Sequence, residues 1–547
     1  MEQRGTNSFV KQAAILAMAG IAVRLLGFLY RLPLTDLIGD EGNGIYGVGF
    51  SVYNFFLVMS SAGLPAAISK MVSEKRAIGR HDIAHRIFVT AFLMAAVFGI
   101  ASMAAMYFFA DNITMSMGRP EAALALQTLA PTVFIVAMMA VIRGYFQGMS
   151  STVPTALSQL VEQIFNAIFS IVLAHAMWNF ALRQGYQETI YGAAGGTAGT
   201  GVGALAGFIV IAGLYFIARP DILRDVHLGR RRARRFEGET VVKNSQIIKN
   251  ISIMSFTIIA GTAIFSIAAL IDSWMVPNRL AVGGITYDRA LELFGQLSGK
   301  FNTLTNLPAA ISSSLAIAIV PAIAASKAIG DHKAVSAKLN MALRAAMLLT
   351  IPIAFGLGVL GPQIVPMLFP SHPEGGTLFI IGFPSIIFLS LSQIATGVLQ
   401  AIGKISIPVF AAAAGAAAKV AVGYVLLANP DINIYGAIFG TTFMYIVTSG
   451  INCAFLCKYT GARLDFVSIA VKPIISSIAM AMGCFVFYHL VFAFLGSNAI
   501  SVAASVLAGM GLYAVFMLLI RGFSDEDILL LPRGNKMLVF LKNKRFI

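Results

Sequence analysis

Six ionisable side chains interrupt the long apolar stretches of this sequence, and their chemistry is its first functional clue. They are Arg24, Arg31, Lys300, Lys419, Glu162 and Asp272. A charged group inside a bilayer is costly unless it faces protein or water, so each of them is a functional-site hypothesis. Because cations outnumber carboxylates among them, the balance favours an anionic substrate.

Arg24 and Arg31 have the most informative spacing. Seven residues of α-helix turn through about 700°, so both side chains lie on one face, two turns apart. A guanidinium group binds phosphate oxygens through two parallel hydrogen bonds and stays charged when it is desolvated. Lys300 lies in a polar run that includes Asn302, and it adds a third cation to this chemistry.

An internal repeat organises the apolar stretches around these charges. Leu-Pro-Ala-Ala-Ile-Ser occurs at 64–69 and again at 307–312. The offset of roughly 240 residues predicts two halves with one plan and an unpaired C-terminal remainder. The prolines of the two copies, Pro65 and Pro308, are predicted to kink the second and eighth spans at matching positions and to act as hinges.

Two of the charged residues also have a structural interpretation, which the sequence leaves open. Arg31 could extend its guanidinium group toward the membrane surface instead of toward a substrate. Lys419 and Glu162 lie on equivalent spans of the repeat, the eleventh and the fifth, and could form an ion pair with each other.

The composition excludes a soluble globular protein. Hydrophobic residues make up 58% of the chain, charged residues make up 12%, and the mean hydropathy is +0.82. These values are typical of a chain that lies in a bilayer. In such a chain the positions of the basic residues matter more than the net charge of +15, and no nucleic-acid partner is expected. The three cysteines lie in apolar runs, so neither a disulfide framework nor a metal site is predicted.

Fourteen apolar runs are long enough to cross a bilayer as α-helices. They lie near 10–37, 44–70, 87–110, 122–146, 155–178, 198–218, 249–275, 294–325, 340–360, 377–402, 406–428, 433–457, 467–491 and 498–520. The predicted fold is thus an all-α polytopic membrane protein of about 14 transmembrane helices, with two six-helix lobes and two further C-terminal helices.

The basic residues predict the orientation of these spans. If the N-terminus is inside, the inside segments carry 31 of the 39 Lys and Arg residues, and the outside loops carry only Arg119, Arg183, Arg279 and Arg289. This bias predicts a plasma-membrane protein with both termini in the cytoplasm. Six spans per half give both halves the same orientation, so the substrate path is expected between two parallel repeats.

The predicted domains follow from these boundaries. They are an N-terminal lobe at 1–218, a basic cytoplasmic linker at 219–248, a C-terminal lobe at 249–457, two extra helices at 458–521 and a cytoplasmic tail at 522–547. The linker contains Arg230-Arg-Arg-Ala-Arg-Arg235, which indicates either a topology anchor or a site for anionic head groups. The tail is predicted to lie as a helix on the cytoplasmic surface.

Other motifs carry less chemistry. Gly199, Gly203 and Gly207 are spaced for close helix packing, and no strand precedes them as a nucleotide site would require. His81 and His85 have the spacing of a zinc protease motif but lack its glutamate. No catalytic fingerprint lies in a loop long enough for an enzyme domain.

Several segments resemble a family of bacterial membrane proteins. They are Arg24-Leu-Leu-Gly-Phe-Leu-Tyr-Arg31, Gly44-Ile-Tyr-Gly47, Ala62 to Lys70, Gly144-Tyr-Phe-Gln147-Gly, Ser158 to Gln163, and Leu307-Pro to Ile319-Val-Pro321. Together they are similar to the polysaccharide-biosynthesis proteins, the stage V sporulation protein B-like and YtgP/MurJ-like branch of the multidrug/oligosaccharidyl-lipid/polysaccharide exporter superfamily. The resemblance covers essentially the whole chain.

The resemblance implies two six-helix lobes around a central cavity and a flippase for undecaprenyl-diphosphate-linked glycans, lipid II in the MurJ-like branch. It implies that Arg24 and Arg31 hold the diphosphate and that spans thirteen and fourteen form a groove for the lipid tail. The predicted substrate-binding residues are Arg24, Arg31, Lys300, Asn302, Gln147, Glu162, Lys419 and Asp272.

The predicted function is therefore outward movement of a lipid-linked glycan by alternating access, with membrane lipids and cell-wall synthesis proteins as further partners. No cofactor is expected, and the sequence leaves open whether Na⁺, H⁺ or the membrane potential drives the cycle. The alternatives are an exporter of another polysaccharide lipid intermediate and a cation-coupled multidrug exporter of the same superfamily. A membrane-bound glycan polymerase and a non-transporting scaffold are further possibilities that the sequence supports less well.

Overall fold

A computed structural model describes residues 2–61, 63–233, 243–328, 330–462 and 464–524. These residues are almost entirely helical and contain no strand, which confirms the all-α prediction. The α-helices are α1 (Glu2–Ser61), α2 (Leu64–Ala77), α3 (His81–Phe108), α4 (Ala110–Ser116), α5 (Ala123–Gly148), α6 (Val153–Gln184), α7 (Glu188–Ala233), α8 (Asn244–Val282), α9 (Tyr287–Gly295), α10 (Asn302–Ala328), α11 (His332–Leu368), α12 (Leu378–Ala401), α13 (Ser406–Leu426), α14 (Tyr435–Thr460), α15 (Lys472–Leu495) and α16 (Asn498–Leu519). A 3₁₀ turn forms at Pro120–Ala122, and π-helical turns form at Gln296–Phe301 and Val467–Val471.

The helices match the predicted spans closely. Among the described residues, 11 helical segments are long and apolar enough to cross a membrane. The first of them, Met18–Ala77, covers two predicted spans, and α8 and α10 cover two more. The structure is therefore consistent with the predicted fourteen.

Helix α1 contains the first two predicted spans, joined at Gly39. This glycine has a φ of 70° and a ψ of −178°, which breaks the helix. A Cβ atom at Gly196 would lie 3.2 Å from a methyl group of Leu34 and 3.6 Å from the Tyr46 ring. Twelve residues of straight helix would separate these two side chains by about 18 Å, so the chain turns back at Gly39.

Asn43 holds this turn. Its Nδ2 donates to the carbonyl oxygens of Thr35 and Gly39, at 2.9 and 2.6 Å, and its Oδ1 accepts a hydrogen bond of 3.2 Å from the Thr35 hydroxyl. Both side chains are buried. The break therefore leaves these backbone carbonyls hydrogen-bonded inside a buried region, as an apolar environment requires.

The prediction of matching proline kinks is wrong in its local geometry. The second span ends at Ser61, and Pro65 lies in the first turn of α2, where a helix does not need the missing N–H group. Pro308 instead lies inside α10, which continues through it and follows the π-helical turn at 296–301. The hinge role of both prolines stays a prediction.

Contacts divide the chain into two compact units. Unit 1 comprises Met1–Asn278 and Thr286–Gly299, and unit 2 comprises Arg279–Ile285 and Lys300–Ile547. Most of α8 thus clusters with the N-terminal half, although the sequence analysis assigned it to the C-terminal lobe. The predicted domain boundaries stay a prediction, and each unit is described below by itself.

The predicted linker begins as a helix. Helix α7 continues to Ala233, well beyond the predicted lobe end at residue 218. Its extension packs near α2, where Asp225 forms an ion pair of 3.5 Å with Arg76. The side chains of the basic run at 230–235 and the tail from residue 525 lie outside the described residues, so the predictions made for them are not addressed.

Each unit has its own apolar core. In unit 1 the Phe88 ring lies 4.5 Å from Tyr145 and 5.0 Å from Tyr215, which joins α3, α5 and α7. The His85 ring packs 5.8 Å from Phe88, so this histidine belongs to the aromatic core. In unit 2 a buried cluster joins α10, α11, α12 and α14. These cores position the polar groups described next.

Candidate substrate-binding site

Arg31 is fixed across the turn of α1. Its guanidinium carbon lies 3.9 Å from the centroid of the Tyr46 ring, which is buried beyond the Gly39 break. A cation over an aromatic face is attracted by the ring quadrupole, so the contact holds the charge inside the span. Arg24, two turns earlier, is exposed and makes a polar interaction of its own.

Arg143 and Glu162 form an ion pair between α5 and α6. The Nη2 atom of Arg143 donates to Oε2 of Glu162 at 2.7 Å, and its Nε donates to the Ser158 hydroxyl at 2.9 Å. The side chains keep 12% and 28% of their accessible surface. Both charges therefore lie within apolar helices and neutralise each other, while part of each remains open.

Arg143 is a residue that the sequence analysis missed. Its position three residues before the predicted end of the fourth apolar run, at residue 146, assigns it to the basic residues of an inside loop. The structure continues α5 to Gly148, so Arg143 lies within the helix, more than one turn before its end. Glu162 has Arg143 as an ionic partner within unit 1, and its predicted pairing with Lys419 stays a prediction.

Asn166 links α6 to the first-span arginines. It lies one turn after Glu162, and its Nδ2 donates to the Tyr30 hydroxyl at 3.4 Å. Ser170, one further turn along, donates to Asn166 Oδ1 at 2.9 Å. Tyr30 directly precedes Arg31, so this hydrogen bond connects the segment of α1 that carries Arg31 with the helix that carries Glu162.

Gly199, Gly203 and Gly207 of α7 fix the position of the helix α6 that carries Glu162 and Asn166. A Cβ atom at Gly203 would lie 2.6 Å from the Glu162 carbonyl oxygen and 2.7 Å from Asn166 Cβ. A Cβ atom at Gly207 would lie 2.9 Å from Glu162 Cβ. Only glycine allows so close an approach, which confirms the predicted helix packing. The backbone of α6, and with it both polar side chains, is held by α7.

Gln147 belongs to the same surface of α5. It lies four residues after Arg143, so both side chains emerge from one face of the helix, and it is half-buried. Arg31, Gln147 and Glu162 thus lie on α1, α5 and α6, three helices that pack against one another, with Arg143 and Asn166 added by the structure, and Arg24 lies two turns before Arg31 on α1. We call these six residues the polar stripe.

The other predicted site residues lie elsewhere. Asp272 is half-buried on α8 in unit 1, next to Ser273, which accepts a hydrogen bond of 2.8 Å from Ser51. Lys419 is 8% exposed on α13 of unit 2, and Asn302 is exposed at the start of α10. The substrate roles of Asp272, Lys419 and Asn302 stay predictions.

Lys300 is fully buried in unit 2. Its ammonium group donates to the carbonyl oxygens of His372 and Glu374, at 2.7 and 2.9 Å, and lies 5.8 Å from the Phe369 ring. It thereby fastens the loop between α11 and α12. This arrangement favours a structural role, and the predicted contact with substrate stays a prediction that the geometry does not favour.

A buried arginine, Arg119, lies at the end of unit 1 where α5 begins. The Arg119 guanidinium carbon lies 4.0 Å from the Tyr287 ring centroid, and Arg119 is 1% exposed. The Tyr287 hydroxyl has two acceptors within reach of its one proton, Glu121 Oε2 at 2.9 Å and the Gly118 carbonyl oxygen at 2.6 Å. Burial raises the pKa of Tyr287, and its bond to Glu121 raises it further.

Unit 2 contains an apolar cavity of about 520 Å³ between α11, α15 and α16. Leu349, Ile353, Leu360, Met480, Val506 and Met510 are among the side chains that line it. Helices α15 and α16 correspond to the predicted spans thirteen and fourteen. The cavity lies where the resemblance implied a groove for a lipid tail, and its occupant stays a prediction.

The described residues contain no cluster of three or more His, Cys, Asp or Glu side chains that could hold a metal ion. The polar stripe offers three guanidinium groups, two amides and one carboxylate on apolar helices. Such a set can bind and release an anion, and it contains no activated nucleophile.

A profile of the family described as polysaccharide biosynthesis protein matches residues 9–327, which is more than half of the chain. The chain belongs to this family. The match confirms the resemblance inferred from the motifs, and it makes the protein a multi-pass membrane protein together with its apolar helices.

Relatives and a solved structure extend the similarity over nearly the whole chain. Stage V sporulation protein B of Bacillus subtilis (strain 168) is 25% identical over 97% of this chain and 99% of its own length. Lipid II flippase MurJ of the same organism is 22% identical over 81% of each chain. A structure of Lipid II flippase MurJ in an inward closed conformation matches with a TM-score of 0.65 and 14% identity, covering 92% of this chain and 98% of that one.

Proposed function

We propose that this protein is a flippase that moves an undecaprenyl-diphosphate-linked glycan from the inner to the outer leaflet, with lipid II as the first candidate substrate. The observation that carries the proposal is the polar stripe. Arg31 and Arg143 are held inside apolar helices by Tyr46 and by Glu162. Charged groups at such positions often mark a substrate or ion path, and we expect these guanidinium groups to bind an anionic substrate.

Diphosphate chemistry fits these groups. A guanidinium group offers paired N–H donors that match two phosphate oxygens, and it remains charged away from water. The apolar cavity between α11, α15 and α16 supplies the other requirement, which is a surface for a long hydrocarbon tail. A soluble phosphate compound would need the first of these features but not the second.

The choice of lipid II within this class rests on the relative that carries this name, the Lipid II flippase MurJ of Bacillus subtilis. The activity is transport rather than enzymatic chemistry, and it takes place in the bacterial plasma membrane with both termini in the cytoplasm. Its partners are the lipid-linked glycan, membrane lipids and the proteins of cell-wall synthesis that use the product.

The cations also provide a way to reset the empty carrier. Moving one net charge across 100 mV is worth about 2.3 kcal/mol. An empty site that bears net positive charge is therefore drawn back toward a negative interior, while the bound diphosphate cancels this charge on the outward step. Membrane potential alone can supply this bias, and Na⁺ or H⁺ would act as an additional coupling ion.

The test is a depletion and rescue experiment in cells that lack other flippases of this substrate. The amount of lipid II on the outer face is measured with a membrane-impermeant probe, and protein abundance is held equal. Removal of the protein should trap lipid II inside, and Arg31→Ala should restore outward movement at least tenfold less well than the native protein. Arg183→Ala, at the exposed end of α6, is the control and should rescue fully.

Two results would contradict the proposal. If no polyprenyl-diphosphate glycan accumulates inside after depletion, the protein is not a flippase of this class. If a different glycan accumulates while lipid II moves normally, the class is right and lipid II is the wrong substrate.

A further inference from the structure

The Arg143–Glu162 pair has unused hydrogen-bonding capacity. Among the described residues, the partners of Arg143 occupy its Nε and Nη2 atoms and leave Nη1 without a protein partner. Glu162 uses Oε2 and leaves Oε1 in the same condition. Ser158 holds the guanidinium group through Nε, and the edge formed by Nη1 and Nη2 does not include this atom.

We propose that Glu162 is a built-in counter-ion that the substrate displaces, so that Arg143 is a further ligand for the diphosphate. This inference rests on the proposed function and concerns the same polar stripe. On binding, phosphate oxygens take the Nη1 and Nη2 donors of Arg143, and Ser158 keeps the guanidinium plane oriented. On release, Glu162 returns to Nη2.

The exchange keeps the cation paired at every stage. A carboxylate and a phosphate present their oxygens to a guanidinium group in the same way, so one can replace the other without rotating Arg143. A guanidinium group without any anion would be costly inside an apolar helix pair. The displaced carboxylate keeps access to solvent, because the Glu162 side chain is 28% exposed.

A comparison within unit 1 shows why this pair, and not another arginine, is open to a ligand. Arg119 is 1% exposed and enclosed by the Tyr287 ring, so no anion can reach it without unfolding that end of unit 1. The Arg143 side chain keeps 12% of its surface, and Gln147 lies one turn away on the same face. The geometry of Arg143 is that of a held but accessible donor.

The direction in which one substitution changes the affinity for the lipid tests the proposal. Full-length protein in lipid nanodiscs is titrated with undecaprenyl diphosphate, and the dissociation constant is measured. Glu162→Gln removes the competing charge at nearly constant size, so affinity should rise about tenfold. A pair that serves only to hold α5 against α6 gives no such gain.

Matched control variants show whether a gain in affinity comes from the loss of competition for Arg143. Arg289 and Glu292 form another pair at 2.7 Å, but on the exposed surface, so Glu292→Gln should leave affinity unchanged. In an Arg143→Ala background, Glu162→Gln should produce no gain, because the competition no longer exists. Thermal unfolding of each variant shows that the comparison is between folded proteins.

A second variant covers the case in which Glu162→Gln fails to fold. Arg143→Lys keeps the charge but loses the paired donors, so it should weaken binding of undecaprenyl diphosphate about tenfold and binding of undecaprenyl phosphate far less. Equal losses for the two lipids would overturn the proposal, as would unchanged or weaker binding in a folded Glu162→Gln protein. If the native protein binds neither lipid, the proposed function itself fails.

Discussion

Lys300 shows how a charged residue in an apolar span can have a structural rather than a chemical role. The sequence context, a run of polar residues at the start of the eighth span, predicted substrate contact. The structure satisfies the ammonium group with two backbone carbonyls of the loop between α11 and α12. No local sequence signal identifies these acceptors, because they lie more than 70 residues away and belong to the main chain.

The two roles make opposite predictions for Lys300→Ala. Hydrogen bonds to a charged group contribute about 1.5–3 kcal/mol each, so the substitution should lower the free energy of unfolding by about 3 kcal/mol. Thermal unfolding of the purified protein measures this loss, with Lys333→Ala as the exposed control. Unchanged stability combined with lost transport would instead assign Lys300 to the substrate.

The other site residues also differ in whether the sequence alone could identify them. Arg24 and Arg31 could be found from sequence because they interrupt a long apolar run and share a helix face. Arg143 was hidden by its position near the end of a run, where a basic residue normally indicates a cytoplasmic loop. Its partner, 19 residues later on the next helix, becomes apparent only when α5 and α6 are brought together.

At the scale of elements, the contact between α6 and α7 is the one on which the polar stripe depends. Gly199 meets the backbone of Ser170, and Gly203 and Gly207 meet the turn that carries Glu162. The sequence predicted this packing correctly, since small residues four apart are what closely packed membrane helices need. It could not predict which helix is the partner.

Gly203→Val should therefore lower the stability of the protein, while the same change at Gly213 should not. A side chain at 203 meets the Glu162 carbonyl oxygen and Asn166, whereas nothing lies within 4 Å of a Cβ atom at 213 on the same helix. Overpacking of this kind costs about 1–3 kcal/mol, and backbone contacts place it at the upper end. Thermal unfolding and the amount of folded protein in membranes measure the effect, and equal behaviour of the two variants would contradict the packing.

The proline prediction failed at this same scale for a physical reason. Identical six-residue motifs at 64–69 and 307–312 gave the expectation of identical kinks. Gly63 precedes the first copy, and a Cβ atom there would lie only 2.5 Å from the Ser255 carbonyl oxygen, so α8 packs directly against the backbone where α2 begins. The second copy follows Asn306 and stays within a continuous helix.

At the scale of the whole molecule, apolar length and charge decide most of what the sequence could predict. Runs of about 20 apolar residues leave a chain few alternatives to membrane-spanning helices, which explains why the predicted number of spans is consistent with the structure. The division into units was harder, because it depends on which helices pack together. Helix α8 follows the basic linker in sequence but contributes Ile247 and Ile251 to the core of unit 1.

The orientation can be tested with single cysteines. Cys453, Cys457 and Cys484 are first replaced by serine, and a cysteine is then placed at Tyr186 or Ile78, which are 52% and 64% exposed. A membrane-impermeant maleimide should label position 186 on intact cells and position 78 only after permeabilisation. The reverse pattern would place both termini outside and would exclude the proposed direction of transport.

The turn at Gly39 also has a consequence for how the chain enters the bilayer during synthesis. No Lys or Arg lies between Arg31 and Lys70, and the turn itself carries the acidic residues Asp40 and Glu41. Acidic groups weigh little in the rule that orients membrane segments, whereas basic ones resist translocation. The turn itself therefore offers no basic barrier to translocation, and we expect the two halves of α1 to insert as one hairpin.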